Sequence, residues 1–309
     1  MEPPPPEDSE PEQRIIARLL ASGNGPHSVV VGPGDDAAVL PDGSVWTLDT
    51  LVEGVHFDKR LTPADVGYKC VAVSVSDLAA MGAEPKHLLL GLSVGRDGDD
   101  AFVEGFAQGL GDALEHFGVT LVGGDTTRSG PTRVVTTSLG GTLVGEPLLR
   151  SGARAGDRIW ITGRLGLAGE GWSAKTPSAS ALRALRRPDP PLAFALALAR
   201  QGLATAAMDL SDGLGADLPR MCRASGVGAR VEPDAIPGVA SLRLRVHGGD
   251  DFQLLFAAPP QSSEAVLDLA REHRVAATQI GVFTADPELV LVGAPWPAPM
   301  FTHFVEKRK

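Results

Sequence analysis

Aspartates carry the most telling chemistry in this sequence. They recur where glycine or an apolar run adjoins them. Asp35 and Asp36 sit in Gly34-Asp35-Asp36-Ala37-Ala38, and Asp49 follows Val45-Trp46-Thr47-Leu48. Asp77 lies within Val73-Ser74-Val75-Ser76-Asp77-Leu78-Ala79-Ala80, and Asp125 follows Gly123-Gly124. Asp209 and Asp212 share Met208-Asp209-Leu210-Ser211-Asp212-Gly213, while Asp250 and Asp251 follow Gly248-Gly249. A single Asp beside Gly is ordinarily a turn residue or helix cap, the reading given to Asp42 and Asp157. An ionised carboxylate amid valine and alanine instead needs a compensating charge. These segments hold few cations of their own, so divalent ions are the expected source. Hard oxygen ligands without a Cys or His cluster favour Mg²⁺ over zinc or copper. Mg²⁺ would also let an acidic pocket hold a polyphosphate.

Two glycine-rich stretches are candidate phosphate holders. Gly163 to Gly169 follows an apolar run and opens a helix, so its amides are placed for an anion, though the dinucleotide spacing is missing and a tight structural turn fits equally well. Gly123-Gly124-Asp125-Thr126-Thr127 is the better phosphate loop, because bare backbone N–H groups adjoin a carboxylate. No P-loop or protein-kinase signature occurs. Ser211 lacks the context of a hydrolase nucleophile. His56 closes the apolar run that carries Asp49. Trp46, Trp160 and Trp172 fit core positions, whereas Trp296, in a proline-rich stretch, is placed to cover a flat ligand.

The elements that must position these groups alternate between strand and helix periods. Helices are expected over Glu10 to Ala21, Pro63 to Met81 and Asp99 to Phe117, with strands over Ser28 to Leu40, Ser44 to Phe57, His87 to Val94, Val119 to Val122 and Arg133 to Val144. After a linker at Arg150 to Gly156 the alternation resumes. Strands are expected at Arg158 to Thr162, Ala204 to Asp209, Gly228 to Val231, Asp251 to Ala257 and Ala277 to Phe283, with helices at Gly213 to Ala224 and Ser262 to His273. The class is α/β or α+β, in two domains: 10–149 and 150–309, after a disordered tail at 1–9. At 43% hydrophobic and 21% charged, 309 residues build a core without disulfide or zinc, and Cys70 and Cys222 stand alone. A net charge of -10 disfavours nucleic-acid binding. No apolar run is long enough to span a bilayer, and the N-terminus is no secretory leader, so a cytoplasmic enzyme is expected.

Seven segments in order resemble thiamine-monophosphate kinase: Gly34 to Ala38, Asp49 to Phe57, Ser76 to Pro85, Gly123 to Arg128, Arg150 to Asp157, Asp209 to Leu214 and Gly248 to Phe256. The resemblance implies ATP-dependent phosphorylation of thiamine monophosphate to thiamine diphosphate. It also implies the fold of aminoimidazole-ribotide and selenophosphate synthetases, with an N-terminal sheet paired into a dimeric barrel and a C-terminal α+β domain. By the same resemblance Asp36, Thr47, Asp49, Asp77, Asp125, Asp209 and Asp212 hold several Mg²⁺ ions. Gly124, Asp125, Arg150 and Ser211 contact ATP, and His56, Asp250 and Trp296 contact thiamine monophosphate. An anionic acceptor phosphate needs no general base, so direct in-line transfer is expected.

The chain departs from the pattern at Asp250, Phe252 and Gln253, where the family has G-G-E-D-Y-E-L, and at Leu48, where it has Thr. Within the superfamily, selenophosphate synthetase is disfavoured because no Cys precedes Cys70, and the hydrogenase-maturation relative because the chain ends without one. Aminoimidazole-ribotide synthetase fits the fold but not the segments around Asp49 and Asp77. A catalytically silent nucleotide or thiamine-phosphate sensor is the reading from another class.

Overall fold

The computed structural model describes residues 11–22, 29–95, 100–128 and 130–297. The tail expected at 1–9 lies outside them. Helix α1 (Pro11–Ala21) precedes β1 (Ala38–Val39), β2 (Ser44–Val52), α2 (Pro63–Ala80), β3 (Ala83–Val94), α3 (Asp100–Phe117), β4 (Thr120–Arg128) and β5 (Val134–Leu143). These strands form one five-stranded sheet in the order β1-β2-β5-β3-β4. The strand expected over Ser28 to Leu40 shrinks to two residues because Gly32-Pro33-Gly34-Asp35 bends the chain.

Strand period decides what each side of this sheet carries. In β2, Val45, Thr47 and Leu51 are buried while Trp46, Leu48 and Thr50 are exposed, so Asp49 shares the inner side with Thr47. That side is covered by α2, which also packs on α3. Thr62 caps α2 in a full capping box with Asp65, and Pro63 opens it, so its start is fixed locally. Nearly every α2 residue is buried, as expected of a helix apolar on all sides. On the outer side the Trp46 ring lies over Gly140, its register partner in β5. A Cβ at Gly140 would stand 2.8 Å from the indole, so only glycine accepts the ring there. Trp46, read from the sequence as core, is therefore 38% exposed.

The second half contributes β6 (Arg158–Thr162), α4 (Leu167–Ser173), α5 (Ala179–Arg186), α6 (Leu192–Arg200), β7 (Ala206–Leu210), α7 (Leu214–Ser225), β8 (Gly228–Val231), α8 (Leu242–His247), β9 (Gln253–Ala258), α9 (Ser263–Glu272), β10 (Ala277–Thr284) and β11 (Leu289–Leu291). The six-stranded sheet runs β11-β8-β10-β6-β9-β7. Helix α8 and strand β11 are not anticipated from the sequence pattern; both are short. Strand β7 is buried throughout and splits its residues between two cores. Ala206, Met208 and Leu210 enter one, and Ala207 enters the other beside Ala79 and Ala80 of α2. Alternation turns Asp209 toward α2. The mixed α/β class expected from the sequence is the class observed.

Candidate active site

The two halves meet at a group of three carboxylates. Asp36 comes from the turn before β1, Asp77 from the last turn of α2 and Asp209 from β7. One carboxylate oxygen from each lies within 4.8 Å of the others; Asp36 and Asp209 are buried and Asp77 half-buried. The Thr47 hydroxyl donates to Asp77 Oδ2 (2.5 Å) and the Ser76 hydroxyl to Asp209 Oδ2 (3.0 Å). Arg150 donates through Nε and a terminal nitrogen to Asp36 Oδ1 (3.1 and 2.5 Å), and through its backbone N–H to Asp35 Oδ1 (2.8 Å).

One guanidinium does not balance this much negative charge. Burial, with Asp35 adding repulsion against the pull of Arg150, pushes the Asp36 carboxyl up to about 6. Burial followed by repulsion from Asp49, Asp209 and Asp36 raises Asp77 well above the carboxylate range. Burial, Asp36 and Asp217 do the same to Asp209. Asp36 Oδ2 is buried without a hydrogen-bond partner. Three converging carboxylates, one of them with an orphaned oxygen and with no His or Cys among them, are a donor set that fits Mg²⁺.

Other expected site residues fall around this group at different distances. Asp49 accepts from Ser74 Oγ (2.7 Å), which is itself paired with Thr137 Oγ1 (2.8 Å), and burial raises its pKa. Ser211 Oγ donates to Asp209 Oδ1 (3.2 Å). Asp212, expected to be a metal ligand, instead accepts from Arg220 (2.5 Å) and stands outside the three. The sequence shows few cations near these aspartates, and the fold corrects that: Arg150, Arg220 and Lys69 each reach one through space. Leu48 lies on the outer side of the sheet, 65% exposed, so its departure from the family pattern does not touch the carboxylates.

Asp125 is elsewhere. The expected loop from Gly123 to Thr127 is the body of strand β4. Gly124 is needed for close approach, since a Cβ there would stand 1.9 Å from Leu90 O. Asp49, Thr137, Leu90 and Gly124 form one register row across the sheet, and Asp125 pairs with Gly91 and thus with Thr136 in the next. Asp125 therefore faces the outer side, opposite to Asp49 and three strands away, roughly 14 Å at the usual strand spacing. There it lines a shallow groove of about 330 Å³ with Leu89, Thr136 and Ser138.

The remaining three have other side-chain partners. His56 Nδ1 accepts from Val52 N–H (3.0 Å), which leaves the neutral ring's proton on Nε2. Asp250 Oδ2 accepts from Lys69 Nζ and from Trp172 Nε1, each at 2.7 Å. Trp296 packs at the rim of the second core and donates to Leu289 O (3.1 Å). Its neighbour Pro297 is bonded through its carbonyl to His247 Nε2 (2.6 Å), at the end of the helix that leads into Gly248-Gly249-Asp250.

The turn from Gly163 to Gly169 already has its acceptor. Asp251 Oδ2 accepts from Gly166 N–H (2.8 Å), and the backbones of Leu167 and Ala168 also lower its pKa. Burial nonetheless dominates and pushes this carboxyl up to about 7. The amides that the sequence offered to a phosphate are thus held by the chain's own carboxylate. Asp251→Ala, which orphans them, should lower stability by about 1–3 kcal/mol in chemical denaturation. An unchanged midpoint would contradict this cap.

Sequence reasoning misses Ser74, Ser76 and Thr137 as hydroxyl donors, Asp217 as the acceptor for Asp212 N–H (3.1 Å), and Lys69 and Trp172. A usable signal exists for two: serines at Ser74 and Ser76 interrupt an apolar helix just before Asp77.

Two family models cover this arrangement: AIR synthase related protein, N-terminal domain, over residues 34–146, and AIR synthase related protein, C-terminal domain, over 154–294. The molecule is thus an AIR synthase related protein carrying both domains. Among relatives, the thiamine-monophosphate kinase of Escherichia coli K12 is 39% identical over 285 residues, covering 84% of this chain and 86% of the relative. The crystal structure of thiamine-monophosphate kinase from Stenotrophomonas maltophilia K279a aligns with a TM-score of 0.74 at 34% identity, over 91% of this chain and 95% of that one. AaThiL complexed with AMPPCP and TMP aligns with a TM-score of 0.80 at 27% identity, over 94% and 95%. This chain belongs to the thiamine-monophosphate kinase family.

Proposed function

We infer that the protein transfers the γ-phosphoryl group of ATP to thiamine monophosphate, giving thiamine diphosphate and ADP, the last step in making that coenzyme. The observation that carries this reading is the convergence of Asp36, Asp77 and Asp209, with one orphaned oxygen, in a chain of this family. Asp36, Asp77 and Asp209 would hold Mg²⁺, with Thr47 and Asp49 beside them and Asp212 released from Arg220. The bound ions would neutralise the phosphate oxygens during in-line transfer. Arg150 and Ser211 flank the carboxylates and bind the ATP phosphates. His56, Asp250 and Trp296 orient the acceptor, whose phosphate oxygen is already anionic, so the chain needs to supply position rather than a base.

Asp125 joins this site from a second copy. Its outward face and distance from Asp49 prevent it from reaching the carboxylates of its own chain, while the same outer side exposes Trp46, Leu48 and Leu89. A face this apolar fits a homodimer through paired sheets, with Gly124 and Asp125 completing the neighbour's ATP site. None of the described helices is long and apolar enough to cross a membrane.

The test is turnover of thiamine monophosphate with ATP and Mg²⁺, following thiamine diphosphate by chromatography. Product that disappears with EDTA is expected. A folded protein that binds ATP and forms no product would overturn the assignment.

A further inference from the structure

Lys69 is buried to 1% side-chain exposure, in the middle of apolar α2, and its ammonium meets Asp250 of the other half at 2.7 Å. A lysine this deep is held in place by its anion, because an unpaired buried ammonium is costly. Trp172, from α4, donates its indole N–H to the same oxygen, Oδ2. Lys69 Nζ also lies 5.8 Å from the Trp172 ring centroid and 5.9 Å from that of Phe252, within cation–π range.

The Asp250 backbone is fixed as firmly as its side chain. Its N–H donates to Ser211 O (2.7 Å), and the Phe252 N–H to Leu210 O (2.9 Å). Asp250 and Phe252 both adopt positive φ, 60° and 47°, a left-handed conformation that non-glycine residues keep only where the surroundings enforce it. Asp250 remains 25% exposed, and Oδ1 takes no hydrogen bond among the described residues.

We propose that Lys69 is a positioning residue for the acceptor substrate: with Trp172 it occupies Oδ2 of Asp250 and so presents Oδ1 as the single acceptor for the amino group of an aminopyrimidine. The inference rests on the reading of Asp250 as a substrate contact. Lys69 pairs with Asp250 and with none of Asp36, Asp77 or Asp209 among the described residues, so its effect is expected on the one substrate that Asp250 contacts. Trp172, through the same oxygen, shares the role.

The experiment is steady-state kinetics of the wild type, Lys69→Met, Lys69→Arg, Trp172→Phe, Asp250→Asn and the Lys69→Met/Asp250→Asn pair, varying thiamine monophosphate and ATP in turn. Misaligning one charge-assisted hydrogen bond should raise the KM for thiamine monophosphate about tenfold or more in Lys69→Met. The KM for ATP and kcat should move by less than about threefold, and Lys69→Arg should recover most of the loss. The pair should be no worse than Asp250→Asn alone, because Lys69 acts through that carboxylate. If Lys69→Met does not fold, Lys69→Arg and Trp172→Phe must show the same split at smaller size. Equal rises in both KM values, no rise in either, or additive losses in the pair overturn the role of Lys69. No thiamine diphosphate from the wild type overturns the kinase reading itself, and this role with it.

Discussion

Asp77→Asn should abolish most turnover and, in the metal-free protein, raise the melting temperature. The two effects share one origin. Asp77 faces Asp36, Asp209 and Asp49 with one nearby guanidinium, and burial with mutual repulsion raises its pKa. The amide keeps the acceptor for Thr47 Oγ1 and removes the repulsion that the ionised carboxylate meets from Asp49, Asp209 and Asp36. Turnover should fall about 10²–10³-fold, the usual loss when one electrostatic stabiliser of the transition state is removed. The metal-free melting temperature should rise by about 2 °C or more for each kcal/mol of repulsion relieved, and Mg²⁺ should no longer shift it. The pH response follows from the same cause. Asp36 titrates at about 6 in the folded chain against an ordinary aspartate value of 3.8, so the folded form binds the extra proton between those values. This contribution to metal-free stability is full below about pH 4 and is lost as pH rises through 6. Saturating Mg²⁺ should remove the fall, because the cation takes the proton's place. Thermal melts of wild type and variant across about pH 4–8, with and without Mg²⁺, check both effects. A destabilised Asp77→Asn that still responds to Mg²⁺ would show that the three carboxylates are not the metal site.

Mixing two inactive variants should restore activity if Asp125 serves the neighbouring chain. Asp77→Asn spoils a chain's own site; Asp125→Asn spoils its partner's. A heterodimer of the two then holds one site with both lesions and one with none. Random re-pairing makes half the dimers mixed, so about a quarter of wild-type turnover should return after subunits are exchanged. An arrangement in which Asp125 acts within its own chain returns nothing. The measurement is turnover before and after joint unfolding and refolding of the mixture, with each variant refolded alone as control.

The acidic residues are readable in the sequence wherever an apolar context makes a carboxylate anomalous. Asp77 inside Val-Ser-Val-Ser-Asp-Leu-Ala-Ala and Asp209 after Ala206-Ala207-Met208 stand out for that reason, and strand alternation puts Thr47 on the same side as Asp49. Asp125 is harder, because Gly123 and Gly124 carry no side chain to reveal a two-residue period and so suggest a loop. Asp250 and Asp251 look alike in sequence, yet one serves Lys69, 181 residues away, and the other caps α4, 85 residues away. Such pairings depend on how the halves dock, which local pattern does not contain. Trp46 defeats the pattern for another reason: a large apolar residue suggests a core, while the fold leaves this one on an open sheet face.

That tryptophan acts as an indexing pin. Its ring seats in the notch left by Gly140, on the side of the sheet away from the carboxylates. Sliding β2 by one residue along β5 would lift the ring from its notch and turn Thr47 and Asp49 out to the far surface with every other side chain of the strand. The alignment of the acidic chemistry is therefore keyed from the opposite face, by two residues that touch none of it.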